Sequence, residues 1–527
     1  MKVDQQFSEK PYSQPYSSIG QEWLVNFYLE RSTSPSAKVP YYYVGIQGLT
    51  RLAADNNLGA VRGMIACSNG RVFGVWGSGF YELTYDSANV AITRTKLGTL
   101  KTSSGIVRMA ENGTYICLVD GQGEGTYGYG YTLRFSSNVF ARITDQYFPG
   151  VADGDLTKGP SFVVCIDTYF LVNSQGTHKY YWSAPGYVAY AFDATKPSVT
   201  TYWWGTDYGE KIGDTDNIIA MAATVQNLWV FGLNSIEVHR DTGETRGQLF
   251  SRIDGALVGF GCLAKDSVAR YGNEVFWLGR DRSGTVGIYA CGSDFVPRRI
   301  STRGIETRIQ QYSELSNAIG WTYAIDGHAY YQIVFPNGSS IDGGDEVGAS
   351  WCYDITTDTW TRRNRWEESE GKEYRHQMHF SCFGFDKLLC GDYRNSAIYF
   401  LDSTKYYNDR PTGTTPEWIQ GVFTSPSNYY QNKRVVFRKI QINQQGGNAP
   451  RTGQGSAPNM WIAWSDDSGL TWSQEEYSET GATGDYIKRT MWFLLGSSRN
   501  RVFRWRMTDP FRRVIASVTY DLEALQD

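Results

Sequence analysis

The sequence predicts an all-β fold, a β-propeller of about seven blade-like units with a β-sandwich-like domain after it. Three observations predict it: a composition rich in aromatics and glycine, an apolar strand that recurs along the chain, and a change of texture near residue 410.

Composition comes first. The 527 residues exceed what one ordinary core supports, so the chain is either a large repeat architecture or two to three domains. Aromatics make up 15%, with 37 Tyr, 25 Phe and 17 Trp beside 56 Gly, which suits many short strands joined by tight turns. The net charge of -4 lacks the Lys and Arg excess of a protein that grips nucleic acid through phosphates, although DNA could still slide past such a surface. Eight Cys are spread thinly through apolar runs without a CxxC pair, which reads as buried thiols in a reducing compartment. The opening stretch has no apolar core and no run reaches 18 apolar residues, so neither a usual secretion signal nor a membrane span is expected.

The repeat is the next element. Between residues 61 and 410 each unit has a strongly apolar second strand: Val72–Trp76, Tyr115–Val119, Tyr169–Asn173, Leu228–Gly232, Val275–Gly279, Tyr330–Val334 and Leu388–Asp392. Their starts are separated by 43 residues (Val72 to Tyr115) to 59 residues (Tyr169 to Leu228), the period of a four-stranded blade with insertions. Seven units are counted, with six as the alternative if one is an inserted sheet. Third strands such as Gly79–Thr84, Ser235–His239 and Ser396–Leu401 alternate polar and apolar residues and are expected to be half exposed. The last unit lacks a strand, and Tyr42–Ile46 has strand character without a unit, so residues 1–60 are expected to supply an arm and a propeller-closing strand. Insertions are expected near 121–160, which begins with a Gly-Tyr loop, and at 337–349. Longer strands in 411–527 predict the sandwich.

Candidate chemistry is sparse. Ser465-Asp-Asp-Ser-Gly-Leu-Thr-Trp472 is similar to the Asp-box of sialidase blades: Asp467, with Ser465, would bind turn amides, Gly469 would take positive φ, and Trp472 would anchor the hairpin on the core. The Gly-rich loop lacks the Lys-Ser/Thr and following helix of a phosphate loop. His376 and His379 lie three apart in a strand-like segment, on opposite faces, a poor arrangement for one metal. Ser183, Ser235 and Ser301 lack a nucleophile context. Two basic clusters, Arg298–Arg308 and Arg362–Arg365, could meet phosphates but fit solvated outer strands or subunit salt links better. No catalytic residue, metal or cofactor is expected.

Several ordered stretches resemble one family: Gly20-Gln-Glu-Trp-Leu-Val-Asn-Phe-Tyr-Leu-Glu, Gly45-Ile-Gln-Gly-Leu, Asp216-Asn-Ile-Ile-Ala, Gly259-Phe-Gly-Cys-Leu-Ala, Arg299-Ile-Ser-Thr-Arg-Gly-Ile-Glu, Asp326-Gly-His-Ala-Tyr-Tyr and Trp351-Cys-Tyr-Asp. They resemble the packaged-DNA stabilisation proteins of short-tailed phages, also described as tail nozzle or hub proteins. Leu29 and Ile46 depart from the pattern, which commonly has proline at both places. The resemblance implies a structural protein of the virion tail, assembled in the host cytoplasm. It implies a homo-hexameric ring below the portal and adaptor that retains packaged DNA, lets it out through the lumen without reading sequence, and docks tailspikes or fibres and a tail needle or plug. The alternatives are a sialidase-like hydrolase, motivated by the Asp-box, and a non-catalytic glycan-binding module, motivated by exposed Tyr and Trp.

Overall fold

The computed structural model describes residues 2–10, 22–34, 36–120, 128–152, 154–189, 201–244, 248–340, 346–430 and 433–525. The predicted Gly-Tyr loop falls largely outside them, at 121–127.

Seven sheets follow one another along the chain, at 61–99, 108–142, 163–210, 218–258, 261–299, 319–367, and 378–402 completed by 48–53. Six belong to the propeller alone, while the sheet at 319–367 runs on into the sandwich. The first strand of each sheet lies beside the first strand of the next, and Met378–Gly384 of the last meets Val61–Ala66 of the first, so the ring is closed. All seven apolar segments form second strands, and Val72–Trp76, Tyr169–Asn173 and His328–Phe335 are buried along their whole length between neighbouring blades. Small residues let the inner strands approach: a Cβ on Gly63 would stand 2.3 Å from the Val107 carbonyl oxygen of the next blade.

Closure differs in one detail from the expectation. Ile398–Asp402 pairs with Gly48–Ala53, whereas Tyr41–Gly45 lies in the sandwich between Phe27–Arg31 and Val514–Ala524. The chain crosses between the two bodies around Gly48, where a Cβ would meet the Tyr407 carbonyl oxygen at 2.1 Å.

The sandwich packs two sheets over Phe423, Phe437, Ile440, Phe503, Trp505 and Tyr520. One sheet orders Phe27–Arg31, Tyr41–Gly45, Val514–Ala524, Val435–Gln444 and Thr490–Phe493, with Lys2–Gln5 also paired to Val514–Ala524. The other contains Leu24–Val25, Gly421–Thr424, Asn500–Met507, Asn459–Ser465 and Glu476–Glu479, and joins the sixth blade through parallel pairing of Val25 with Arg362.

Two expectations are corrected locally. On the third strand Ile236–Asp241, Glu237 and His239 are buried, because His239 bonds Glu237 on its own strand and Tyr180 of the preceding blade rather than facing water. The stretch after Arg299 contains a short helix, Arg303–Ile309, in place of outer strand. Among the described residues of the expected insertion at 337–349, Ser339 bridges Glu346 and Gly338 lies against Ala349. All eight cysteines are free thiols, six of them fully buried.

Candidate functional site

The Asp-box forms the turn between Asn459–Ser465 and Glu476–Glu479. Asp467 accepts from the Leu470 and Thr471 amides at 3.1 and 2.9 Å and from the Ser465 and Thr471 hydroxyls at 2.6 and 2.5 Å, and the Gly469 amide donates to Ser465 Oγ at 2.7 Å. The side-chain bonds from Ser465 and Thr471 lead in holding the Asp467 carboxyl down at about 2. Gly469 takes φ +90°, as its residue type allows. Trp472 departs from expectation: it is half buried and carries Arg504 over its ring at 4.1 Å, outside the sandwich core. With every strong acceptor bond of Asp467 spent inside its own turn, this carboxylate is poorly placed for acid–base work on a substrate.

The propeller axis is the second place where charges converge. Arg108, on the first strand of the second blade, reaches Asp266 of the fifth at 2.9 Å and lies over the Phe162 ring at 4.8 Å. Asp266 sits in a short turn of 3-10 helix, Lys265–Ser267, that packs against the first strands of the fourth and sixth blades. An ion pair that joins blades three positions apart spans the middle of the ring. Arg270 extends the lacing by donating to the Ala223 carbonyl at 2.7 Å, and its own carbonyl accepts from Thr322 at 2.6 Å.

The third place is the joint between propeller and sandwich. Asn26 stands where Leu24–Val25 of one sandwich sheet passes into Phe27–Arg31 of the other, fully buried and with φ +56°, a conformation that Asn tolerates better than most residues. Its Nδ2 donates to the carbonyls of Asn364 (3.1 Å) and Gln420 (2.8 Å), and its Oδ1 accepts the Asn364 amide at 3.0 Å.

The basic cluster Arg362–Arg365 lies inside this joint and not on a solvated strand. Thr359–Glu367 is covered on one side by its own blade and on the other by Leu24–Val25. Arg362 lies over Trp351 at 5.3 Å and pairs with Glu373 at 3.5 Å, Arg363 lies over Tyr330 at 5.4 Å, and Arg365 pairs with Glu367 and Glu417 at 2.6 and 2.7 Å. Arg362 and Arg365 have carboxylate partners and all three arginines are buried, so none is presented to phosphates. In the other cluster Arg299 makes a two-pronged pair with Glu306 at 2.6 and 2.5 Å, and Ser301 bonds the same carboxylate.

Four of the five histidines fall at packed places, and only His178 is exposed. His376 and His379 are buried, and burial foremost, with Arg363, Arg394 and Arg365 around the first and Arg375 beside the second, pushes both down to about 3. They are neutral core groups. His328 bonds Asp354 at 2.7 Å on its own hairpin and Glu30 at 3.0 Å on the sandwich; burial pulls its pKa down, but these two bonds outweigh it and lift it to about 8. Sequence reasoning missed this joint, because its partners are distant in the chain and no local motif marks them. Ser235 is held by Lys211 and Asp216 within the fourth blade, again without a nucleophile's setting.

The fold is thus a closed propeller laced across its axis and sharing a sheet with a β-sandwich, with the charges at the axis and the joint held in internal bonds. The chain belongs to the bacteriophage P22 Gp10 family: the β-propeller model of that family matches residues 21–406 and its β-sandwich model matches 420–523. It is therefore a bacteriophage structural protein, a virion component concerned with stabilising packaged DNA. No curated protein matches the chain. Among solved structures, a streptogramin B lyase is similar at 12% identity and TM-score 0.37, covering 72% of this chain and 98% of its own. Virginiamycin B lyase from Staphylococcus aureus is similar at 10% identity and TM-score 0.39 (67% and 99% covered), and the N-terminal domain of Nup159 at 9% and 0.37 (71% and 97%).

Proposed function

We propose that the chain is a subunit of a tail nozzle or hub, six copies forming a ring below the portal and adaptor. The ring closes the DNA exit after packaging, later conducts DNA outward, and docks tail fibres or tailspikes and a needle or plug; it assembles in the host cytoplasm. The observation that carries this is the match of both family domains, in order, across the chain. In this proposal DNA runs through the lumen between subunits, since the Arg108 to Asp266 bridge obstructs the propeller's own axis. The net charge of -4 suits a wall past which DNA slides without being held.

The test is electron microscopy of the purified protein alone and mixed with an adaptor ring. Six copies seated under the adaptor are expected. A stable monomer that never joins the adaptor overturns the proposal.

A further inference from the structure

A groove of about 530 Å³ opens between the outer strands of the second blade and the loops of the third. Its wall is aromatic: Tyr187 and Tyr202 stack at 4.7 Å with their planes 13° apart, and Tyr115 meets Tyr187 edge-on at 5.2 Å. Tyr187 holds φ +52°, a strained conformation for an aromatic residue, in the turn that presents it to this stack. Arg134 and Arg142 stand exposed on the rim, Arg134 over the Tyr115 ring at 5.9 Å. Among the described residues no carboxylate pairs with either arginine. The nearby carboxylate Asp145 is occupied, accepting from Thr201 Oγ1 at 2.7 Å and from the amides of Tyr202 and Trp203 at 2.6 and 3.1 Å.

Tyrosine rings beside guanidinium groups that stand over rings and that no described carboxylate neutralises make a surface for a ring-shaped ligand that carries negative charge. Flat aromatic faces take the C–H faces of a sugar, and guanidinium forks take carboxylate or phosphate in two-pronged fashion. The volume is that of a small-ligand cleft. Duplex DNA needs a row of cations along its phosphates, which one rim with two arginines does not offer. We propose that this groove binds an anionic saccharide through Arg134, Arg142 and the part-exposed Tyr115 and Tyr202 rings, which the buried Tyr187 backs. The charge could come from uronate units or from phosphorylated sugars of a cell surface.

The experiment titrates the full-length protein, by saturation-transfer NMR and calorimetry, with a galacturonate tetramer, a phosphorylated oligosaccharide, neutral cellotetraose and a thymidine tetranucleotide. Saturable binding of at least one acidic saccharide is expected, with cellotetraose silent. The Arg134→Ala/Arg142→Ala variant should bind at least about tenfold more weakly, and Tyr202→Ala similarly. Both arginines are exposed, so that variant should keep the parent's unfolding midpoint even if the tyrosine change perturbs folding. Which acidic saccharide saturates identifies the source of the charge. Silence of both, undiminished binding by the arginine variant, or tighter binding of the tetranucleotide overturns the proposal.

Discussion

Asn26 and Asn364, 338 residues apart, face each other with paired bonds: the Asn26 amide donates to the Asn364 carbonyl, and the Asn364 N–H returns a bond to the Asn26 side-chain oxygen. Neither asparagine reaches water. Substituting Asn26→Leu strands buried donors and acceptors on Asn364 and Gln420, and each stranded group costs about 1–3 kcal/mol. The variant should lose about 3 kcal/mol or more, and limited proteolysis should cut at the joint between sandwich and propeller. A variant as protease-resistant as the parent would show that the joint does not depend on this pair.

Arg108 and Asp266 form a cross-brace in a largely buried setting. Arg108→Ala leaves Asp266 without its partner and should destabilise by about 3 kcal/mol, more than Arg108→Ala/Asp266→Ala together. Urea unfolding of the four proteins of the cycle measures the coupling. Additive single effects would mean that the two charges do not feel each other.

Gly48→Ala places a methyl group against the Tyr407 carbonyl where the closing strand passes. The strand must shift, and a loss of about 2–4 kcal/mol is expected, as for other over-packed sites at special backbone positions. Hydrogen exchange should rise first in Gly48–Ala53 and Ile398–Asp402. Unchanged protection of those two strands would contradict the role given to this closure.

His328 ties the propeller to Glu30 of the sandwich, with Asp354 on its other side and Tyr28 at 5.0 Å. Its folded-state pKa is raised to about 8. A raised histidine contributes stability that is fully present below its unfolded value of about 6.5 and is lost as pH climbs through about 8. Stability should fall by about 1 kcal/mol between pH 6 and pH 9, and His328→Gln should remove that slope. Parallel pH profiles for parent and variant would refute it.

Asp467→Ala removes the acceptor that gathers the Asp-box turn. Amide exchange at Leu470 and Thr471 should accelerate while the sandwich core stays protected. In the parent the depressed carboxyl contributes above its unfolded value, and this contribution disappears as pH falls through about 2.

The sequence and the structure agree where the signal is local. The apolar second strands are legible because burial between blades forces continuous apolarity over five or six residues, and the Asp-box because the bonds that Asp467 and Ser465 make close within seven residues. The joint is not legible, because Arg362–Arg365 carries the same residue types whether it faces water or is covered by Leu24–Val25. The closing strand was nearly legible: Tyr41–Gly45 and Gly48–Ala53 are both strand-like and two residues apart, and only pairing decides which body each joins.

The closing strand has a consequence for how the chain comes into being. Residues 48–53 emerge early during synthesis, yet their partner, Ile398–Asp402, emerges some 350 positions later, and Lys2–Gln5 waits longer still for Val514–Ala524. The first five blades can form hairpin by hairpin as they are translated, whereas the ring waits for Ile398–Asp402 and the sandwich for Val514–Ala524. Until then Gly48–Ala53 and Lys2–Gln5 carry unpaired strand edges, so the nascent protein is most exposed to wrong partners in the interval before those two later strands are made.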